Sequence, residues 1–424
     1  MLKKLVSPAW AMLEYGWYPL LLFIATPWFL HQLGTEHYGH WMLLTATVSF
    51  GGVMNTGTGA ATIKAISAGI GRAGKGDVER TVRASLAIAM LGGGALALLV
   101  FCVFWFAGGT LLARMGTPAL VQLTGAAAAL LIWLEQLDNV FSSAMKGAEQ
   151  FGQAARIEIA AKTTQILAGA LVLLWSPALW ALYVALLIVA VLRLVAKMII
   201  TRRLLGLSDL RPSPVGAMQI LQFAKWGWLQ GVGGVLFGVA DRMLVGSLLG
   251  AASLAYYSIA SQLAMQIHAA TAAAVGVIFP KVSRKLEEDG QFSLWRVATL
   301  TMAGNLVLST ALTSMLFIFG QKLLTFWLGP SQAQPVTPVF FFLIFAYWLL
   351  AINVTPHYIL LSLGKFRFVA LSNIFAGIAL IFVISTFAIE FGLTGVAAAR
   401  ILYGAIILVN FIPLATLFQQ REYT

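Results

Sequence analysis

The feature that most limits the fold of this chain is a series of long apolar stretches without a charged residue. Several exceed the ~20 residues that a helix needs to cross a bilayer, and one of them, 323–364, is long enough for two crossings. The stretches are 15–35, 37–63, 84–113, 115–134, 163–192, 243–280, 297–321, 323–364, 368–389 and 401–420. Only 10% of the 424 residues are charged, against about 25% in soluble proteins. The sequence therefore predicts a polytopic membrane protein.

The apolar stretches are predicted to be helices rather than the strands of a membrane barrel. Backbone polar groups inside a bilayer must be satisfied within the protein, and no alternating segments of about ten residues indicate barrel strands. We expect an all-α fold with twelve transmembrane helices. Their predicted ranges are 12–33, 40–61, 85–108, 118–144, 157–175, 179–200, 219–247, 252–279, 295–319, 338–362, 369–389 and 395–416.

The distribution of cations predicts the orientation of these helices. When each Lys or Arg is assigned to the nearer predicted loop, one side of the membrane receives 23 and the other receives 4 of the 27. This asymmetry follows the positive-inside rule and places both termini in the cytoplasm. The net charge of +12 therefore reflects topology and not a nucleic-acid partner, while the basic face is expected to contact anionic membrane lipid.

The predicted loops are too short to hold a separate soluble domain, since none exceeds about 25 residues. The connection 201–218 lies near the middle of the chain and divides it into two predicted six-helix lobes, 1–212 and 213–424. A faint internal repeat supports this division, because LGTEHYG at 33–39 and LGAASLAYY at 249–257 occupy matching turns. Two parallel six-helix halves usually enclose a central cleft near the membrane midplane.

Several short motifs occur in an order that carries a family resemblance. They are the L-G-x-x-x-Y-G-x-W turn at 33–41, NTGTGAATIKAIS at 55–67, ADRMLVGSLLG at 240–250, IFPKVSRKL at 278–286, FWLGP at 326–330, LGKFR at 363–367 and GLTGVAAAR at 392–400. Together they cover nearly the whole chain, which resembles the polysaccharide (O-antigen) flippase family of the multidrug/oligosaccharidyl-lipid/polysaccharide exporter superfamily. One position departs from the pattern, because Asn55 stands where an acidic residue is usual.

The resemblance implies a V-shaped exporter fold in the bacterial inner membrane. It further implies a flippase that moves an undecaprenyl-pyrophosphate-linked oligosaccharide from the cytoplasmic to the periplasmic leaflet by alternating access. Coupling to a proton or sodium ion and contacts with polysaccharide polymerase and chain-length proteins are expected with that role. No cofactor and no metal site are predicted.

Two carboxylates within the fourth predicted helix are candidates for ion coupling. Glu135 and Asp138 are spaced i, i+3 and therefore share one helix face with Ser142. Two close carboxylates in a medium of low dielectric raise each other's pKa, which suits reversible protonation. The structural alternative is that they pair with Lys162 or Lys64 and hold the lobe together.

Asp241 and Arg242 are adjacent charges inside the seventh predicted helix. Neighbouring residues point about 100° apart on a helix, so the two cannot both face the same way. Asp241 is therefore a second candidate for ion coupling and Arg242 for substrate binding. In the structural alternative, Asp241 pairs with a helix of its own lobe and Arg242 extends toward the membrane surface.

The pyrophosphate of the implied cargo requires positive charge in its binding site. Lys225 and Arg400 are the first candidates for head-group contacts, and Lys64 is the next. For Lys64 and Lys225 the alternative is a cation that reaches the cytoplasmic membrane surface without touching cargo.

The tenth predicted helix contains a polar cluster in INVTPHYILL, 352–361. Asn353, His357 and Tyr358 could bind sugar hydroxyls, and Pro356 is expected to bend the helix and free a carbonyl. A lone histidine in a membrane helix more often makes a hydrogen bond to a neighbouring helix.

Other functions are weighed against the flippase. An enzyme such as a membrane glycosyltransferase would need acidic residues on an extended external loop, but the longest predicted one, 320–337, has no Asp or Glu. A drug or cation exporter of the same superfamily would need an acidic or neutral cleft. A lipid scramblase or an assembly scaffold is the third alternative.

Overall fold

The computed structural model describes the backbone of residues 2–71, 75–289 and 291–419, and nearly all of it is helical. Side chains are described in these ranges except at 2–9, 11–15, 75, 226, 229–230, 233, 236–237, 276–289, 291–297, 366 and 416–419. No strand occurs within the described backbone, and the prediction of an all-α fold is confirmed.

The described chain forms two compact units. The first runs to Val235 and includes Gly250–Ala252. Its helices are α1 Leu2–Gly71, α2 Lys75–Cys102, α3 Gly108–Leu111, α4 Pro118–Gly147, α5 Phe151–Trp175, α6 Leu179–Leu205 and most of α7 Ala217–Gly238. A π-helical turn, Val103–Ala107, joins α2 to α3, and a 3-10 turn, Ala113–Met115, follows α3.

The second unit comprises Leu236–Leu249 and the residues from Ser253 onward. Its helices are α8 Ala240–Leu249, α9 Ala251–Asp289, α10 Gln291–Leu328, α11 Pro330–Ile352, α12 Val354–Ser362, α13 Phe366–Ile407 and α14 Ile412–Gln419. A 3-10 turn, Leu408–Phe411, separates α13 from α14.

Glycines with left-handed backbone make the two turns that the sequence repeat pairs. Gly34 has φ of 73° and divides α1 into two helical arms, and Gly250 has φ of 89° between α8 and α9. A side chain with a Cβ is strained at these angles. The shared backbone conformation at matching motif positions is consistent with the repeat, and Gly392 divides α13 in a similar way.

Seven helical segments of the described ranges are long and apolar enough to cross a membrane. Apolar residues exposed on their outer faces, such as Leu171 and Phe317, suit contact with lipid tails rather than water. The chain is therefore a multi-pass membrane protein, while the number of twelve crossings stays a prediction.

Three predicted loops are much shorter than the sequence indicates. The connection 62–84 shrinks because α1 continues to Gly71 and α2 begins at Lys75, and the connection 280–294 is reduced to the interval between Asp289 and Gln291. The connection 320–337, predicted to be external, contains only Gly329 between α10 and α11. The prediction ended helices where the apolar residues ended. A helix can continue into water, because its backbone hydrogen bonds are internal and Lys, Glu, Gln and Arg are good helix formers.

The predicted connection 201–218 is confirmed as non-helical between Leu205 and Ala217. It is fixed on the side of α2. Glu79 accepts hydrogen bonds from the backbone and hydroxyl of Ser208 at 2.8 Å, and the Arg83 side chain donates to the carbonyl of Arg211 at 2.9 Å.

Candidate functional site

The first unit contains a network of six charged side chains from three helices. α4 provides Glu135 and Asp138, α5 provides Glu158 and Lys162, and α6 provides Arg193 and Lys197. On each helix the two residues are three or four positions apart, so both project from one face. The three faces converge, and three carboxylates meet three cations.

Lys197 lies at the centre of this network. Its ammonium group donates to Asp138 Oδ2, to Glu158 Oε2 and to the hydroxyl of Ser142, each at 2.7 Å. The lysine side chain is only 2% exposed. Three donors therefore meet three acceptors, as a buried ammonium requires.

Arg193 connects all three carboxylates from one turn away on α6. Its guanidinium lies 3.0 Å from Glu158, 3.4 Å from Asp138 and 3.7 Å from Glu135. Asp138 and Glu158 thus each contact two buried cations, and Lys162 adds a longer contact to Glu158 at 3.9 Å. Glu135 has the longest of the three contacts with Arg193.

Glu135 also differs from the other two carboxylates in its access to space. Its side chain is 30% exposed, compared with 8% for Asp138. It lines a cavity of about 250 Å³ together with Tyr18, Lys162 and Arg193. Glu158 is 20% exposed and is not among the residues that line this cavity, so Glu135 is the most accessible of the three acids.

The sequence correctly placed Glu135, Asp138 and Ser142 on one face, but its structural alternative named the wrong partners. It expected Lys162 or Lys64, whereas the observed partners of both acids include Arg193. The distribution of cations along the sequence predicts Arg193 and Lys197 on the basic side of the membrane. The missed signal was their i, i+4 spacing within an apolar helix, because helix neighbours that are both charged need a common set of acids when they are buried.

The first arm of α1 packs against α5 beside the cavity. The ammonium of Lys162 lies 4.7 Å from the centroid of the Tyr18 ring, and the Trp17 indole donates to the hydroxyl of Thr163 at 2.8 Å. These two contacts join α5 to the first arm of α1.

The second unit buries a smaller group of charges. Asp241 on α8 is hydrogen-bonded through Oδ2 to the guanidinium of Arg400 on α13 and to the hydroxyl of Tyr257 on α9 at 2.6 Å. The Arg400 guanidinium also lies 4.9 Å from the centroid of the Tyr347 ring. Both charged side chains are 1% exposed. The pairing of Asp241 within its own half of the chain agrees with the structural alternative.

Arg242 points elsewhere than its neighbour, as the helix geometry predicts. It is half-buried, and its backbone N–H donates to Asp241 Oδ1 at 2.8 Å. The two adjacent charges thus have different environments, and the role of Arg242 in substrate binding stays a prediction.

The predicted bend of the tenth helix is confirmed, and it falls at Asn353, between α11 and α12. Pro356 cannot donate to the carbonyl of Ile352. The amide of Asn305 donates instead to Ala351 at 2.7 Å and to Ile352 at 3.4 Å.

Asn353 takes part in a polar chain inside the second unit. Its side-chain oxygen accepts a hydrogen bond from Asn410 at 3.1 Å, and Asn410 accepts one from Ser372 at 3.1 Å. The rings of His357 and Tyr358 are half-buried and edge to face, with centroids 5.6 Å apart. Asn353 thus makes a hydrogen bond within the protein, while the helix-to-helix alternative for His357 and sugar binding by Asn353, His357 and Tyr358 stay predictions.

Lys64 and Lys225 are both exposed on the first unit. The ammonium of Lys64 lies 4.4 Å from the centroid of the Phe223 ring on α7. From the sequence, these two lysines and Arg400 are all predicted to contact the pyrophosphate head group of the cargo. Two of the three remain accessible to an anion, whereas Arg400 is enclosed with Asp241.

Comparison with known proteins identifies the family and the fold of the chain. A family model described as "Polysaccharide biosynthesis protein" matches residues 90–338, which is more than half of the chain. No protein with a curated description matches it.

Solved structures of low sequence identity share the fold. An inward-facing multidrug resistance MATE family transporter of the MOP superfamily is 13% identical, with a TM-score of 0.78 over 98% of this chain and 99% of that chain. The lipid II flippase MurJ in an inward closed conformation is 14% identical, with a TM-score of 0.72 over 98% of this chain and 87% of that chain. A MATE transporter in complex with MaD3S is 13% identical, with a TM-score of 0.62 over 98% and 95% of the two chains.

Proposed function

Because this chain belongs to the polysaccharide biosynthesis protein family, we propose that it is a flippase for an undecaprenyl-pyrophosphate-linked oligosaccharide. The cargo would move from the cytoplasmic to the periplasmic leaflet of the bacterial inner membrane by alternating access. The family and the fold shared with the flippase MurJ and with MATE transporters support a flippase or exporter. The identity of the cargo and the energy source are the proposed parts.

The observation that carries the coupling proposal is the position of Glu135 at the accessible edge of a charge-balanced network. Asp138 and Glu158 each contact two buried cations. Glu135 has one contact at 3.7 Å and faces the cavity. Glu135 is therefore the acid that we propose as the proton acceptor.

A proton is favoured over a sodium ion as the coupling ion. Lys162 and Arg193 line the same cavity as Glu135. A metal cation beside Glu135 would lie close to these two positive charges and would be repelled. A proton neutralises the carboxylate without needing a shell of oxygen ligands, and it would release Arg193 from one of its three acids.

Lys64 and Lys225 are the proposed contacts for the cargo's pyrophosphate. Both are exposed lysines, and a polyanion that leaves water needs accessible cations. Arg400 could serve only if its contact with Asp241 opened, because the guanidinium is 1% exposed. His357 and Tyr358 would bind sugar hydroxyls.

The experiment uses purified protein in liposomes with a fluorescent undecaprenyl-pyrophosphate oligosaccharide and a membrane-impermeant quencher. We expect labelled lipid to change leaflets faster than in empty liposomes, at a rate that depends on an imposed pH gradient. The Glu135→Gln variant should lose this dependence. The matched control is Glu36→Gln, since Glu36 is an exposed acid of the same unit, and it should behave as wild type.

The results separate the two parts of the proposal. A wild-type rate equal to that of empty liposomes contradicts the flippase. A Glu135→Gln variant that still responds to the gradient contradicts coupling through Glu135.

A drug exporter is the second candidate, because the fold is shared with a multidrug resistance transporter at a TM-score of 0.78. The same liposomes loaded with a cationic dye distinguish the two. Movement of the dye without movement of the labelled lipid would favour the exporter.

A further inference from the structure

A groove of about 520 Å³ lies between α1, α2 and α7 in the first unit. It starts where α1 and α7 cross at two glycines. A Cβ on Gly227 would lie 2.5 Å from the Cα of Gly57, and a Cβ on Gly57 would lie 2.3 Å from the carbonyl oxygen of Ala224. Helices approach this closely only where side chains are absent.

Two hydrogen bonds fix this crossing. The Trp228 indole donates to the carbonyl of Met54 at 3.0 Å, and the Thr56 hydroxyl lies 3.0 Å from the carbonyl of Gly227. Beyond the crossing, toward the C-terminal end of α1 and the first turns of α7, the groove opens and α2 forms its third wall. These contacts hold α1 and α7 together at one end of the groove.

The floor of the groove is apolar and densely packed. Ala61, Ala84, Ile220 and Ala224 form one buried cluster, and the first three also line the groove. Because many of the lining side chains are small, a hydrocarbon chain has room to lie along the floor.

The rim of the groove is polar and carries positive charge from two helices. Lys64 of α1 and Arg80 of α2 line it, together with Gln219 of α7 and one acidic residue, Asp77 of α2. Lys64 is held over the ring of Phe223 at 4.4 Å. Among the described side chains, no carboxylate lies within 4 Å of its ammonium.

Arg80 can also turn toward a ligand. Its guanidinium pairs with Asp77 at 3.5 Å, and the two side chains are 61% and 52% exposed. An exposed pair of this kind contributes little to stability, so an anion with more charge than one carboxylate can replace Asp77 as the partner of Arg80.

We propose that this groove is a docking site for the phosphate head group of a polyprenyl lipid. The diphosphate lies between Lys64 and Arg80, and the first isoprenyl units lie on the apolar floor. The identity of the lipid rests on the proposed function, in which the groove receives the cargo before transport. The chemistry of an apolar floor under a cationic rim matches an amphiphile with an anionic head.

The test measures equilibrium binding of undecaprenyl pyrophosphate to the purified full-length protein in nanodiscs. The Lys64→Gln variant should bind it about tenfold more weakly, the loss expected for one charge-assisted contact. Ala68→Trp fills the groove without changing its charge, because Ala68 is an exposed lining residue. It should lose a similar amount.

Arg156→Gln is the matched control. Arg156 is an exposed cation that lies 4.9 Å from the centroid of the Trp10 ring, an arrangement like that of Lys64 and Phe223 but outside the groove. Its binding should stay within about twofold of wild type, well below the loss of one such contact. A loss in Arg156→Gln as large as in Lys64→Gln would overturn the site, because it would indicate a general effect of surface charge.

Competing ligands identify the source of the phosphate. Phosphatidylglycerol and inorganic pyrophosphate should compete at least about tenfold more weakly than undecaprenyl pyrophosphate. Phosphatidylglycerol lacks the diphosphate, and inorganic pyrophosphate lacks the hydrocarbon chain. Equal competition by either ligand would overturn the assignment, as would unchanged binding in both Lys64→Gln and Ala68→Trp.

Transport of the labelled lipid is measured on the same preparations. If wild type transports the lipid but neither groove variant weakens binding, the groove is not the docking site and the proposed function is supported. If binding depends on Lys64 but wild type transports nothing, the groove is supported as a lipid-binding site and the proposed function is wrong.

Discussion

The two units bury charge in different ways. In the first, six side chains from α4, α5 and α6 share their contacts, and one acid, Glu135, reaches a cavity. In the second, one acid meets one guanidinium, and both Asp241 and Arg400 are 1% exposed. A shared network can gain or lose a proton at an accessible acid while its buried contacts stay intact. The Asp241–Arg400 pair has no accessible acid. This difference supports the proposal that coupling occurs in the first unit and that the Asp241–Arg400 pair has a structural role.

The largest effect on stability is expected when one partner of the buried Asp241–Arg400 pair is removed. Asp241→Asn leaves the buried Arg400 without its carboxylate, which should lower the free energy of unfolding by about 3–5 kcal/mol. Denaturant titration of the purified protein in micelles measures this change.

A double variant tests the cause. Asp241→Leu combined with Arg400→Met removes both charges and should be more stable than Asp241→Asn, because no charge is left uncompensated. A double variant that is no more stable than the single one would contradict the structural role of the pair.

A smaller effect is expected at the centre of the shared network. Lys197→Met removes three hydrogen bonds of 2.7 Å, but Arg193 still contacts both Asp138 and Glu158. The free energy of unfolding should fall by about 2–3 kcal/mol, less than for a pair with a single partner. The same titration checks the order, and a loss larger than that of Asp241→Asn would show that the contacts are not shared.

The smallest effect is expected at the edge of the network. Glu135→Gln removes one contact of 3.7 Å from a side chain that is 30% exposed, so stability should change by less than about 1 kcal/mol. Thermal unfolding of the variant used in the gradient experiment measures this. A large loss of stability would make Glu135 a structural residue like Asp241.

Much of the fold could be predicted because a bilayer permits few structures. The charge-free stretches predicted helices, and most of the described backbone in each of them is helical, with short breaks such as 176–178. Helix ends were predicted less well, as α9 and α10 continue through the basic connection 280–294 almost without a break. Hydropathy marks where a helix meets water, and the helix itself ends only where its hydrogen-bonded backbone is interrupted.

The candidate site was predicted in part. The i, i+3 spacing identified Glu135 and Asp138 because helix geometry alone places them on one face. Their partners were missed because Arg193 and Lys197 lie more than 50 positions further along the chain. Sequence spacing carries no information on which helix faces meet.

The sequence by itself determined that this chain spans a membrane with helices, since the hydrocarbon core requires internal backbone hydrogen bonds and excludes unpaired charge. It also identified most of the charged residues within the predicted membrane helices, where a charge needs a partner or a function. Only the tertiary structure decided which of them are neutralised: Asp241 by Arg400, and Asp138 by Lys197 and Arg193. The reason is that the electrostatic energy of a buried charge depends on distances to groups from other helices, and packing sets those distances.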